Sequence, residues 1–273
     1  MIHNPAQNDY TYKPMSPADA ALISITYSHP ARQSEACTLA ESLQLPCLNL
    51  SKCKSELALN FNEMQVELLD LAQKMQLSVE FIEGALGHRK KYGGGRGQTI
   101  AKAVGIKQGK PLPHILDATA GLGKDSYVLA CLGCKIDMLE RSPIVAALLA
   151  DGLARASLNI EFAEMMQQGF TLHNQDAMSY LDAIDDDNKP DVIYLDPMYP
   201  EKKKSASVKK NMQMLQKLLG HDLDADQLLD AALEKAHQRV VVKRPKGAPV
   251  LRASRQPTLA YESKSTRYDT YII

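Results

Sequence analysis

HILDATAGLGKDSYVLACLGCKIDMLE, His114 to Glu140, is the stretch whose reading decides the fold. A short apolar run reaches a turn carrying Gly121 and Gly123. KDSYVLACLG then has helical composition and stops at Gly133, and CKIDMLE is apolar again. Strand, glycine turn, helix, glycine stop and strand make one β-α-β unit, whose two strands must run parallel. In open sheets of this kind ligands lie outside the carboxyl ends of the strands.

Outward from this unit the alternation continues. SPIVAALLADGLARASL reads as a helix with Ser142 as N-cap and Pro143 in the first turn. FTLHNQD reads as a strand, AMSYLDAI as a helix and DVIYLD as a strand. VKKNMQMLQKLLG and DADQLLDAALEKAH are amphipathic helices, RVVVKRP is a strand, and AYESKSTRYDTYII suggests a terminal antiparallel pair. The pattern predicts an α/β fold with a mostly parallel, seven-stranded sheet covered on both faces over residues 114–273. Residues 1–85 differ: AALISITY, LPCLNL and the mixed NEMQVELLDLAQKM predict a small α+β segment. Residues 86–113 form a basic, glycine-dense connector in which TIAKAVGI is a short helix.

With 273 residues, 45% of them hydrophobic, the chain can bury a full core, and no run approaches the ~18 apolar residues of a membrane span. MIHNPAQNDYTYKPM lacks the basic flank and apolar run of a secretory signal. Five cysteines, an odd number, fit reduced thiols in a cytoplasm. The formal net charge is zero, which argues against wholesale attraction to nucleic acid. The charge is segregated, however: HRKKYGGGRG, EKKKSASVKK and VVVKRPK are basic, while DAIDDDNKPD and HDLDADQLLD are acidic.

The glycine turn, DATAGLGKD, begins at Asp117 and departs from two phosphate-binding loops. Ala118 replaces the first glycine of a P-loop, and Asp125 replaces the Ser/Thr that would hold Mg²⁺. Ser126 stands at the third glycine of a dinucleotide fingerprint, and Asp125 would repel a pyrophosphate. A ligand without phosphates is expected. Glu140 lies roughly 20 residues beyond the turn, where an acidic side chain reaches ribose hydroxyls. Gln175 and Asp176 end the third strand and can accept from an adenine amino group. Such acids around a phosphate-free turn suit S-adenosylmethionine, with its ribose, adenine and cationic sulfonium. The competing reading of Glu140 alone is a carboxylate complementing the next helix dipole.

VIYLDPMYP, Val192 to Pro200, ends a buried strand on a carboxylate. Pro197 stiffens the backbone after Asp196, and Tyr199 offers a face on which a base can stack. Acceptor, rigid carbonyl and aromatic plate together suit an exocyclic amino group on a planar heterocycle. The plainer alternative is a strand-terminating Asp-Pro turn. Lys202, Lys203 and Lys204 follow directly, and Arg89, Lys90, Lys91 and Arg96 lie in the glycine loop. Lys243 and Arg244 lie at the next strand end. All are candidates for RNA phosphates, against the ordinary reading of a charge run as a solvated face.

Cys131 and Cys134 resemble half a zinc knuckle without a second pair, so no metal is expected. Cys47, after Pro46, is a remote candidate for a cysteine nucleophile. Amino methylation needs no such intermediate.

HRKKYGGGRG, the stretch from DATAGLGKD to ADGLARA, and VIYLDPMYPEKKKSASVKK together resemble the bacterial small-subunit (16S) ribosomal RNA guanine-N2 methyltransferase family RsmJ. The likeness runs from about residue 84 to about 245. It implies a class I, Rossmann-like methyltransferase that uses S-adenosylmethionine to methylate one guanine of 16S RNA. Asp196, Pro197 and Tyr199 would act at the target base. Carried over, Lys124, Asp125, Glu140, Arg141, Gln175, Asp176 and Asp196 would contact the cofactor, beside Asp117, Gly121 and Gly123 of the turn itself, which are candidates on the reading of that turn. Gln175 and Asp176 depart from the small hydroxyl residues associated with the family there. The implied partner is 16S RNA or the small ribosomal subunit, with no membrane and no obligate protein partner. The residues alone leave open amino methylation of adenine or of DNA, a nicotinamide oxidoreductase, and a non-catalytic RNA-binding module.

Overall fold

The computed structural model describes residues 22–82, 95–198, 206–219 and 224–273. The first elements are β1 (Ile23–Tyr27), α1 (Gln33–Leu43), β2 (Cys47–Asn49), β3 (Leu57–Phe61), β4 (Val66–Asp70) and β5 (Met75–Leu77). Next come α2 (Thr99–Ala103), β6 (His114–Asp117), α3 (Lys124–Ala130), β7 (Lys135–Leu139), α4 (Pro143–Ala156) and α5 (Ile160–Gln167). Then follow β8 (Phe170–His173), α6 (Ala177–Ala183), β9 (Val192–Leu195), α7 (Ala206–Leu219), α8 (Ala225–Lys235) and β10 (Arg239–Pro245). A hairpin, β11 (Leu259–Glu262) and β12 (Thr266–Ile272), closes the chain.

Two compact units contain these elements. The smaller takes the described residues within Met1–Glu80, Ser142–Leu158 and Lys202–Gly220. It is built on a five-stranded sheet in the order β2-β1-β3-β4-β5. Ala36, Leu39, Ala40 and Leu43 line one buried stripe of α1, the i, i+3, i+4, i+7 spacing of a helix laid against a sheet. The α+β reading of this segment holds. The unit is not contiguous, though, because α4 packs on β4 and α7 on β5. Cys37 of α1 and Cys47 of β2 are disulfide-bonded, with Cα atoms 5.3 Å apart. This corrects the expectation of five reduced thiols: β1 pairs in parallel with β2, which brings β2 beside the helix between them.

The larger unit carries the expected sheet, seven strands in the order β11-β12-β10-β9-β6-β7-β8. β10, β9, β6, β7 and β8 run parallel, and β12 runs antiparallel to both β10 and β11. Strand period two sorts its side chains. Leu116, Leu139, Ile193, Leu195, Val240 and Val242 pack with α6 and α8 on one face. Residues of the other parity turn the opposite way, where Phe81, Tyr127, Phe162 and Phe170 cluster with ring centroids 5.2–6.4 Å apart. Such aromatic pairs contribute about 0.5–1.5 kcal/mol each beyond their burial. The short helix α5 was not expected; Asn159 caps it by accepting from the Phe162 N–H at 3.2 Å. Among the described residues no helix is long and apolar enough to cross a membrane.

Candidate active site

Because β9, β6, β7 and β8 are parallel neighbours, Asp196, Asp117, Glu140 and Asp176 follow one another along the carboxyl ends of the sheet. The glycine turn sits over the middle of this row. Gly121 and Gly123 have φ of 55° and 67°, the left-handed region in which a side chain is strained. A Cβ added at Gly121 would meet nothing within 4 Å, so the turn faces open space.

Four hydrogen bonds hold the turn and the two acids that support it. Glu140, buried at the tip of β7, accepts the Gly121 N–H at 2.9 Å, and its own carbonyl accepts from Asn174 Nδ2 at 2.7 Å. Asp117 faces α3, where Ser126 Oγ donates to its Oδ2, and the Thr119 N–H donates to its Oδ1 at 3.1 Å. Burial pushes Asp117 up to about 7; the Ser126 and Thr119 hydrogen bonds oppose this, and the charges of Asp125 and Asp196 reinforce it. Its carboxylate is thus enclosed within the turn, which it shapes. The Ser126 that breaks the dinucleotide fingerprint is its partner.

Asp196 is exposed at the end of β9 and Pro197 is buried behind it. The Asp196 N–H donates to Thr119 Oγ1 at 2.6 Å, which fastens the Asp-Pro segment to the glycine turn. β10 pairs with β9 so that Val242 lies opposite Leu195, and Lys243 therefore comes beside Asp196. Lys243 Nζ lies 2.7 Å from Asp196 Oδ2 and 2.7 Å from Asp125 Oδ2. Tyr194 OH, on the same face of β9, donates to Asp125 Oδ2 at 2.8 Å. Burial alone would lower the Lys243 pKa, but the Asp196 and Asp125 carboxylates hold it well above the ordinary lysine value. Burial, and then repulsion by Lys243, lowers that of Lys124. An open cleft of about 400 Å³ adjoins this cluster, bordered among others by Gln98, Thr99, Asp125, Lys243, Thr266 and Tyr268.

Several expected residues have other partners. Asp176 caps α6, its Oδ1 accepting from the Ser179 N–H at 3.0 Å and from Ser179 Oγ at 3.1 Å. Arg141 pairs with Asp224 at 2.9 Å at the surface. Lys243 and Arg244 were expected to face phosphates. Strand alternation instead turns Lys243 to the two carboxylates and buries Arg244, whose guanidinium donates to the Pro249 carbonyl at 3.1 and 3.2 Å. Tyr199, Lys202, Lys203, Lys204, Arg89, Lys90 and Lys91 lie outside the described residues, as does the side chain of Arg96. Thr119, Ser126 and Tyr194 were missed as supporting residues. The only sequence signal for them was their place on or beside the two motifs.

A doubly wound sheet with this turn and this row of acids is the framework of a class I methyltransferase. A family profile of SAM-dependent methyltransferases matches residues 38–273. The chain is 49% identical to the ribosomal RNA small subunit methyltransferase J of Aeromonas hydrophila over 253 residues, 92% of this chain and 98% of that one. It is 46% identical to the protein of that name from Coxiella burnetii, covering 92% of this chain and 97% of the other. The crystal structure of a SAM-dependent methyltransferase from Neisseria gonorrhoeae is similar at 32% identity with a TM-score of 0.66, over 91% and 95% of the two chains. The chain belongs to the ribosomal RNA small subunit methyltransferase J family, and its cofactor is S-adenosylmethionine. The residues present fit that cofactor: a ligand can approach the open backbone of the glycine turn closely, and the carboxylates at the neighbouring strand ends are acceptors suited to hydroxyls and an amine.

Proposed function

We propose that this protein methylates the exocyclic N2 amine of one guanosine in 16S ribosomal RNA, and that Asp196 receives that amine. S-adenosylmethionine supplies a methyl group on a positively charged sulfur. Asp196 and the Pro197 carbonyl accept the two N–H groups of the guanine amine, and Tyr199 stacks on its ring. These contacts draw the nitrogen lone pair out of the ring and aim it at the methyl group, so the rate comes from positioning and electrostatics. Asp196 also accepts the proton released after transfer. The glycine turn, Glu140 and Asp176 hold the cofactor, while Asp117 keeps the turn in shape.

The observation that carries this reading is that Asp196 is exposed while its backbone is tied to the glycine turn through Thr119. N2 of a paired, stacked guanine is out of reach of such a site, so the target is splayed out or single-stranded. The substrate is 16S RNA, naked or within the small subunit, and the protein works in the cytoplasm. The lysines at 202–204 and the basic residues at 89–91 and 96 hold flanking phosphates. Labelled S-adenosylmethionine, small-subunit RNA and nucleoside analysis test the proposal. Label recovered as N2-methylguanosine supports it, and label on adenine or on no base refutes it.

A further inference from the structure

We propose that Lys243 is the positioning residue of the methyl-transfer site, its ammonium holding the Asp196 carboxylate in place as an ionised acceptor for the target amine. This rests on the function proposed above and assigns the residue that orients its acceptor.

Asp196 directly follows β9, and its side chain is 41% exposed. Lys243 restricts how that carboxylate can turn. Its Nζ bridges Asp196 Oδ2 and Asp125 Oδ2 at 2.7 Å each, and Asp125 is itself fixed by the Tyr194 hydroxyl at 2.8 Å. The Thr119 hydroxyl fixes the Asp196 backbone from the other side at 2.6 Å. Three elements, α3, β9 and β10, thus converge on one ammonium group.

The ammonium also separates two like charges. Asp125 and Lys124 act on it from α3 and Asp196 from the end of β9, and Tyr268 lies opposite it on β12; Tyr194 and Asp117 reach it only through Asp125 and Asp196. Removing Lys243 takes away the cation that Asp125 and Asp196 share, which favours protonation of one of the two carboxylates. A protonated Asp196 donates a hydrogen bond where it must accept one. The lysine therefore controls both the angle and the protonation of the acceptor, without touching the reacting atoms.

The test is the pH profile of methyl transfer to small-subunit RNA by Lys243→Met and Lys243→Arg, with KM for the RNA measured alongside. Lys243→Met is expected to lower kcat at neutral pH by about 10- to 100-fold and to move the acid limb of the kcat profile upward by about one pH unit or more. Its KM for RNA and the salt dependence of RNA binding stay those of the parent. Lys243→Arg keeps the charge and is expected to return the acid limb toward the parental position. Lys243→Gln makes the same comparison where Lys243→Met does not fold. An acid limb unmoved in the neutral variants, with kcat reduced equally at every pH, overturns the proposal. So does a raised KM with a shallower salt dependence, which assigns Lys243 to a phosphate instead. If the parent protein itself methylates no guanine, the functional reading fails first and the proposal falls with it.

Discussion

Asp125 and Asp196 accept hydrogen bonds from one and the same ammonium group, that of Lys243, at 2.7 Å each. Asp125 follows the glycine turn, the proposed cofactor side, and Asp196 begins the Asp-Pro segment, the proposed side of the target base. The two halves of the reaction are therefore joined by a single buried-to-exposed chain, from Tyr194 through Asp125 and Lys243 to Asp196. Disturbing any member is predicted to be felt at the others.

The innermost member gives the mildest test. Tyr194→Phe keeps the ring in a fully buried site and removes only the hydroxyl that donates to Asp125. A hydrogen bond to a charged group contributes about 1.5–3 kcal/mol, so thermal unfolding is expected to show a loss of that order. Because Asp125 loses an anchor, kcat is also expected to drop several-fold while KM for RNA holds. An unchanged melting temperature together with parental kcat would show that the hydroxyl contributes nothing.

Asp117 gives a prediction with a definite sign. Its folded carboxyl holds a proton up to about 7, against 3.8 when unfolded, chiefly because it is buried. Between those values the native state binds more protons than the unfolded chain, so this group's contribution to stability falls as pH rises from 4 to 7. Asn at this position imitates the protonated acid, accepting from Thr119 and donating to Ser126. Asp117→Asn is expected to flatten the decline, its stability gaining on the parent by on the order of 4 kcal/mol across the window. Denaturant unfolding at a series of pH values measures it, and parallel curves would refute it. Asp137 does not confuse the test. Burial would raise its pKa, but hydrogen bonds from His114 and His173 bring it well below the ordinary carboxylate range. Its contribution is present above pH 4 and is lost only at lower pH.

Asp176 has a cap role and a proposed cofactor role, and one substitution separates them. Serine caps helices about as well as aspartate, so Asp176→Ser is expected to leave stability within about 0.5 kcal/mol. If the carboxylate also accepts from the adenine amine, KM for S-adenosylmethionine rises by about tenfold, as expected for losing a charged hydrogen bond. An unchanged KM would leave Asp176 a cap alone.

The architecture was legible where the pattern is local. Gly121, Gly123 and Gly133 punctuate His114–Glu140 so clearly that β6, α3 and β7 could be read directly, and the Asp-Pro step marks the end of β9. What depends on residues distant in sequence was hidden. Lys243 reads as one more basic residue in VVVKRPK until the register of β10 against β9 sets it beside Asp196. Arg244, one residue on, is buried for the same reason. The Cys37–Cys47 bond requires α1 and β2 to be brought together. That α4 and α7 belong with the N-terminal sheet follows from packing that amphipathic spacing does not encode.

The most direct test of the central claim is single-turnover methyl transfer to small-subunit RNA by Asp196→Asn, with S-adenosylmethionine binding measured on the same preparation. Asn keeps the size but presents an amide in place of the ionised acceptor. The account predicts cofactor affinity lowered by no more than about tenfold, the loss of one charged contact, and methyl transfer to guanine reduced by about 10²–10³, as for loss of one charge-stabilising group at a reacting centre. Parental rates of N2-methylguanosine formation by this variant would contradict it.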